Sequence, residues 1–176
     1  HEWIVRSAGS HLITGGFGAL GLLVAEALAA RGATDLVLVG RSAPSAAARR
    51  TVDDLRARGV RVHERSVDVS NEAAVASLLD EAGRAFPPLA GIVHAAGVLA
   101  DGLAAEMSEA RFASVFDAKA DGARHLDALT RARDLDYFVL FSSTAAVLGA
   151  PGQSNYAAAN AVLAAIAHDR SRAGLP

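Results

Sequence analysis

The stretch His11-Leu12-Ile13-Thr14-Gly15-Gly16-Phe17-Gly18-Ala19-Leu20-Gly21 joins a short apolar run to a glycine-rich turn. Residues 11–14 read as a strand feeding the glycines. From about Gly18 to Arg31, Leu20, Val24, Ala27 and Leu28 recur at helical spacing, and Gly32 closes the segment. Outward from this unit the alternation repeats. Leu36-Val37-Leu38-Val39 reads as a second strand, with Val52 and Leu55 marking the next helix. Val60 to Val67 gives a third strand, and Val75, Leu78 and Leu79 mark a helix beyond Asn71. Gly91-Ile92-Val93-His94 is a fourth strand, followed by a long helical pattern through Phe112, Val115, Phe116, Leu126 and Leu129. Tyr137 to Phe141 is a fifth strand; after a Gly/Pro loop, a last helix runs from about Asn155 to Arg172. Apolar strands alternating with helices predict an α/β fold: a doubly wound parallel sheet covered on both faces.

Composition removes several function classes. With 176 residues the chain is near the usual size of one domain. Its 52% hydrophobic and 20% charged residues, with mean hydropathy +0.26, are too apolar for a disordered chain. No apolar run reaches the ~18 residues of a membrane helix. The opening His1-Glu2-Trp3-Ile4-Val5-Arg6 lacks the build of a signal peptide, so a cytoplasmic location is expected. No cysteine is present, and His63, His125 and His168 lack metal-ligand spacing, so neither a disulfide framework nor a metal site is expected. A net charge of -2 weighs against nucleic acid or an anionic membrane as the main partner. Residues 1–10 read as a lead-in from an upstream region and residues 11–176 as the domain itself. The chain stops after a helix, at Ala173-Gly174-Leu175-Pro176, with five strands and an open edge. The sheet is therefore expected to be truncated before its sixth and seventh strands.

Gly16, Gly18 and Gly21 form the pattern G-x-G-x-x-G. Such glycines allow a tight turn, close approach of backbone to a pyrophosphate, and close helix–strand contact; the helix N-terminus then offers free amides to phosphate. An ordinary glycine turn is the plainer alternative. Placement at the first strand–helix junction favours a dinucleotide, and hence a Rossmann-type domain. The second strand ends in Gly40-Arg41-Ser42, where an acidic residue would bind ribose hydroxyls and select NAD. None is there, because Asp35 lies at the wrong end of that strand. Arg41 can instead pair a 2′-phosphate, which points to NADPH; a solvated surface arginine is the alternative.

Of 17 basic residues 16 are Arg, and Lys119 is the single lysine. Lysine can shift its pKa and relay a proton where arginine cannot, although one chance surface lysine is the bland reading. Tyr156 follows Ser143 by thirteen residues, and Asn160 lies one helical turn beyond it. Residues at i and i+4 share a helix face, so Tyr156 and Asn160 point the same way. Ser143, after the fifth strand, reaches the crevice where open α/β sheets bind ligands. A phenol releases its proton more easily beside an ammonium, which gives Lys119 a task. By spacing, Ser142 reads as a neighbour that satisfies backbone, and His94 as a packed histidine rather than a base.

Three segments carry a resemblance: Thr14-Gly15-Gly16-Phe17-Gly18-Ala19-Leu20-Gly21, His94-Ala95-Ala96-Gly97-Val98-Leu99, and Gly149-Ala150-Pro151-Gly152-Gln153-Ser154-Asn155-Tyr156-Ala157-Ala158-Ala159-Asn160. From His11 to Pro176 the chain resembles the short-chain dehydrogenase/reductase superfamily and, within it, ketoreductase domains of modular type I polyketide synthases. Most of the superfamily carries Tyr-x-x-x-Lys; Tyr156-x-x-x-Asn160 with an upstream Lys119 is similar to the synthase ketoreductases and the related animal-type fatty acid synthase. The resemblance implies that Tyr156 donates a proton to a ketone oxygen while NADPH supplies hydride. Ser143 would bond the same oxygen, Lys119 would hold the ribose, and Asn160 would complete the tetrad. It implies cofactor contacts for Thr14, Gly15, Gly16, Phe17, Gly18, Leu20, Gly21, Arg41 and Ser42. Asp68 and Val69 would meet adenine, Ala95-Ala96-Gly97 would pass the ribose, and Lys119 and Tyr156 would also face the cofactor.

The implied substrate is a 3-oxoacyl thioester on an acyl carrier protein, with other synthase domains in the same polypeptide. Leu99-Ala100-Asp101 resembles the Leu-x-Asp signature of B-type ketoreductases, with Ala100 replacing its usual first Asp, so Leu99 and Asp101 are expected to orient the substrate. An A-type domain would show Trp eight residues before the tyrosine, where Leu148 stands, and Ser154 replaces the Pro linked to epimerisation. A D-hydroxy product with unchanged α-centre is expected. A free-standing reductase and a non-catalytic NADP-binding module are the rival functions.

Overall fold

The computed structural model describes residues 5–176; residues 1–4, the first part of the expected lead-in, lie outside the described residues. Five parallel strands, β1 (Ser10–Thr14), β2 (Asp35–Gly40), β3 (Arg61–Ser66), β4 (Leu89–His94) and β5 (Tyr137–Leu140), form one sheet in the order β3-β2-β1-β4-β5. The helices are α1 (Ala19–Ala30), α2 (Ala46–Ala57), α3 (Glu72–Asp80), α4 (Glu109–Phe116), α5 (Gly122–Thr130), α6 (Ala145–Leu148) and α7 (Ser154–Arg172). This is the doubly wound α/β arrangement that the strand–helix alternation predicts.

Side-chain alternation explains the two covered faces. Leu12, Val37, Val39 and Ile92 pack on one face with Val75, Leu78, Leu79 and Leu126 of α3 and α5. Their neighbours Ile13, Leu36, Leu38 and Val93 pack on the other with Ala25, Leu28, Val52 and Leu55 of α1 and α2. The middle residues of the central strands, Leu12-Ile13, Leu36-Val37-Leu38-Val39 and Ile92-Val93, are apolar without alternation because both faces of the sheet are buried there. The edge strand β3 is not; it reads Arg-Val-His-Glu-Arg-Ser, and its Arg61 and His63 both bond the buried Asp35. Asp35 is thus tied to an ion pair at the amino end of β2, away from any ligand at the carboxyl end.

Three features depart from the sequence reading. The long helix before β5 is not continuous, because a π-helical turn, Asp117–Asp121, separates α4 from α5. The Gly/Pro loop contains α6, one short turn. A 3₁₀ turn, Ala104–Glu106, sits after β4. Gly91 in β4 has a packing reason: the Tyr137 ring lies over it where a Cβ would stand. The Tyr137 hydroxyl in turn donates to His11 Nδ1 at 2.7 Å.

The chain order reverses between β1 and β4, so the crevice beyond their carboxyl ends is the natural ligand site. A further cavity, about 380 Å³, lies at the amino ends of the strands, beside Arg6, Gly9 and Leu89. Among the described residues no helix is long and apolar enough to cross a membrane, and no cluster of His, Asp and Glu could hold a metal ion.

Candidate active site

The glycine turn closes the crevice from one side. Gly15 adopts φ +66°, and a Cβ there would meet the Ala95 carbonyl at 2.7 Å. A Cβ on Gly16 would lie 2.8 Å from the Ile13 carbonyl, and one on Gly21 would strike the Gly15 carbonyl. The backbone of this turn is therefore packed as closely as glycine permits, which leaves its outer surface open for a phosphate-sized group. Gly18 caps α1 without a side chain, and no acidic residue stands in the first turn. The free amides there face no competing acceptor from the cap, as an anion site requires. Phe17 lies against Gly40 and holds the turn to the end of β2.

Two connected clefts run along the carboxyl ends. One, about 110 Å³, is lined by Gly15, Gly40, Arg41, Val69, Ala96 and Gly97 among others. It gathers residues from four separate segments that the sequence reading assigned to cofactor contact. The second, about 230 Å³, is lined by Leu20, Ala95, Leu99, Lys119, Ser142 and Tyr156 among others. Gly97 and Val98 line both, so the clefts form one path past the end of β4. Such a path, lined in part by Gly15, Gly40 and Gly97, suits an extended ligand such as a dinucleotide.

Beside the first cleft, Asp68 accepts hydrogen bonds from the Ser70 hydroxyl at 2.8 Å and the Ser70 amide at 3.0 Å. These bonds hold its carboxyl below the usual range. Arg41 and Ser42 are exposed at the tip of β2. Thr14 is fully buried, with Oγ1 2.7 Å from His94 Nδ1, so its side chain braces the strand ends.

At the second cleft the π-helical turn puts Lys119 inward, 5% exposed. Its Nζ donates to the Phe141 carbonyl at 2.7 Å and stands 5.4 Å from the centroid of the Tyr156 ring. Burial without a counter-charge holds the ammonium below its ordinary pKa. Tyr156, in the first turn of α7, is half-buried and faces the cleft.

Asn160 is fully buried and does not line the cleft; its Nδ2 donates to the Tyr156 carbonyl at 2.8 Å, while its Oδ1 has no partner among the described residues. The shared helix face is therefore real, but Asn160 sits beneath Tyr156 rather than beside it. Ser143 does not line the cleft either. It stands at the turn into α6, where Oγ accepts the Ala145 amide at 3.2 Å and keeps its own proton to donate. Ser142 is the serine that lines the cleft, and its hydroxyl donates to the Asn160 carbonyl at 3.2 Å.

One positioning residue was not visible in the sequence. Asn155, fully buried, accepts the Tyr156 amide at 2.8 Å and donates to the Ala100 carbonyl at 2.9 Å. It thereby fixes the start of α7 against the loop after β4. In the same loop Leu99 is 65% exposed on the cleft rim, and Asp101 accepts from Gln153 Nε2 at 3.0 Å.

Known proteins share this arrangement. The KR domain family matches residues 9–176. A polyketide synthase of Streptomyces halstedii, GfsA, is 51% identical over 171 residues, which is 96% of this chain and 2% of that protein. The spectinabilin polyketide synthase system protein NorB of Streptomyces orinoci is 49% identical over 172 residues, which is 96% of this chain and 8% of that protein. The chain thus spans less than a tenth of these relatives. Among solved structures, an A1-type ketoreductase superposes with a TM-score of 0.90 at 42% identity, covering 98% of this chain and 37% of the other. A ketoreductase from the macrolactin assembly line gives 0.90 at 36% identity over 98% of this chain and 36% of its own.

Proposed function

Because the chain belongs to the KR domain family of oxidoreductases, we propose that it reduces a 3-oxoacyl thioester, carried on an acyl carrier protein, to the 3-hydroxyacyl thioester with NADPH. The observation that carries this reading is the buried Lys119 ammonium, 5.4 Å from the Tyr156 ring centroid, in a cleft continuous with the glycine turn. The carrier protein and further synthase domains are its partners, as the polyketide synthase relatives suggest.

The residues divide the work by chemistry. Gly15, Gly16, Gly18 and Gly21 would hold the pyrophosphate, Arg41 the 2′-phosphate, and Asp68 and Val69 the adenine. When bound, NADPH supplies the hydride that reduces the ketone carbon. Tyr156 gives the phenolic proton to the ketone oxygen, so hydride and proton together add across the carbonyl. Lys119 would stabilise the negative charge left on the phenolate oxygen and would hold the ribose hydroxyls. Ser143, which stands at the corner next to the cleft-lining Ser142 and has a hydroxyl proton to give, is assigned the hydrogen bond to the same ketone oxygen as charge develops there. Asn160 holds the α7 backbone beneath Tyr156.

Arg41→Ala is expected to weaken NADPH by roughly ten- to a hundred-fold, the cost of a lost charge-assisted pair. NADH, which has no 2′-phosphate, should be affected little. Fluorescence titration with both cofactors checks this, and an equal loss for both would mean that Arg41 does not read the phosphate.

The stereochemical outcome is D, with the α-centre unchanged. Asp101, held by Gln153 on the loop that rims the cleft, biases the side from which the acyl–phosphopantetheine arm enters. The entry side decides which face of the ketone meets the hydride. Chiral chromatography of the product from a diketide thioester, with the full-length protein and NADPH, tests both activity and face. A predominantly L-alcohol would discard the B-type reading, and no alcohol at all would discard the function.

A further inference from the structure

His94 is fully buried at the last position of β4, outside both clefts, and the proposed reaction gives it no part. Both of its ring nitrogens are engaged. Nε2 lies 2.9 Å from the Lys119 carbonyl, and Nδ1 lies 2.7 Å from Thr14 Oγ1. A carbonyl only accepts, so Nε2 carries the proton. Burial pushes the imidazole pKa down to about 4, so the ring is neutral and Nδ1 accepts from the threonine hydroxyl.

The backbone of His94 completes a circuit. Its carbonyl accepts the Phe141 amide at 3.0 Å, and the Phe141 carbonyl accepts Lys119 Nζ at 2.7 Å. Lys119 is thus held at both ends by one residue: its main chain by the imidazole, its ammonium through Phe141. The contact falls on the π-helical turn. There i→i−5 bonds replace the regular i→i−4 ladder, and the imidazole gives the Lys119 carbonyl a donor from outside the helix. The next residue but two, Gly122, leaves room for the ring; a Cβ there would stand 3.1 Å from His94 Cε1 and 2.7 Å from Val69 Cγ2.

We infer that His94 is a positioning residue for the proposed reduction, aligning the Lys119 ammonium with Tyr156 through the Lys119 carbonyl and Phe141. This rests on the function proposed above, in which Lys119 serves the cofactor and the phenol. A misplacement of about 1 Å at such a site costs up to about a hundred-fold in rate, enough to be read directly.

Two amide variants separate the two ring nitrogens. In His94→Gln the side-chain amide reaches the Nε2 position and still donates to the Lys119 carbonyl; in His94→Asn it reaches only the Nδ1 position near Thr14. In the full-length protein, His94→Gln is expected to keep kcat/KM within about threefold, and His94→Asn to lose about ten- to a hundred-fold. In a Lys119→Met background the Asn substitution should add less than about twofold, because the two residues act as one unit. A merely structural role would instead give additive losses. As a readout independent of turnover, imidazole ¹⁵N shifts of the cofactor-free protein should show His94 neutral and Nε2-protonated from about pH 6 to 8.

Additive losses, an Nδ1-protonated ring, or a folded His94→Gln variant as impaired as Lys119→Met would each overturn the positioning role. Should His94→Asn fail to fold, the Gln variant and the ¹⁵N spectrum decide alone. A wild-type protein that reduces no ketone would overturn the proposed function itself, and the ¹⁵N spectrum would still report on the His94 contacts.

Discussion

Tyr156→Phe is expected to lower ketone reduction by about 10²- to 10⁴-fold, the usual weight of a positioned general acid, and to leave NADPH affinity within about twofold. Only the hydroxyl is lost. The ring that lies 5.4 Å from the Lys119 ammonium remains, and so do the backbone bonds at residue 156. Those bonds, from the Tyr156 amide to Asn155 and from Asn160 to the Tyr156 carbonyl, hold the start of α7 whatever the ring carries. The variant should therefore melt with the wild type. Turnover on a simple cyclic ketone, beside fluorescence titration with NADPH, separates the two effects. Undiminished turnover in the folded variant would remove Tyr156 from the chemistry.

Lys119→Met should be nearly as severe in activity and almost silent in stability. Removing one preorganised donor from a site of this kind costs about 10²–10³ in kcat. In the proposed reaction Lys119 would also hold the cofactor's ribose, so KM for NADPH should rise as well. Stability is governed by two opposing changes. Among the described residues the buried ammonium has no carboxylate partner, and it lies below its ordinary pKa, so an apolar side chain of similar length removes a desolvation penalty. Against that, the Phe141 carbonyl loses its donor, a cost of about 1–3 kcal/mol. The melting temperature should accordingly move little, and a rise is consistent with a functional site held at some cost to the fold. A variant that unfolds, or one that keeps its turnover, contradicts this role for Lys119.

How far the sequence reached can be judged element by element. The central strands were legible because residues such as Leu36-Val37-Leu38-Val39 are buried on both faces, and an unbroken apolar run this short, bounded by Asp35 and Gly40, suits a buried strand better than a helix. Asp35, set aside as a ribose ligand, stands at the amino end of β2, and its bonds to Arg61 and His63 give it another task. The π-helical turn was not legible. Small apolar residues fill both sides of Lys119, so the helical phase between Phe116 and Leu126 leaves no mark where one residue is inserted. The short α6 was hidden for a different reason, since four residues between a Ser-Ser-Thr run and a glycine carry no period.

At the site, the glycine turn was named from its spacing, Arg41 from its place at the end of the second strand, Lys119 as the single lysine, and Tyr156 from its spacing to Ser143 and Asn160, with their roles taken from the family resemblance. The fold brings them to the clefts at the carboxyl ends of the strands. Spacing could not give orientation. The i+4 relation between Tyr156 and Asn160 holds, but Asn160 points into the core. Likewise the choice between Ser142 and Ser143 turns on a corner whose rotamers no pattern encodes. Asn155 was missed because its partners at Ala100 and Arg111 are more than forty residues away in sequence.

The most direct measurement is a single turnover of the full-length protein with a 3-oxoacyl thioester and NADPH carrying deuterium at the transferred position, read by mass spectrometry. One deuterium on the new carbinol carbon with the wild type, and little or none with Tyr156→Phe over the same interval, is the predicted result. An unlabelled alcohol, no alcohol, or equal labelling by the two proteins would contradict the account.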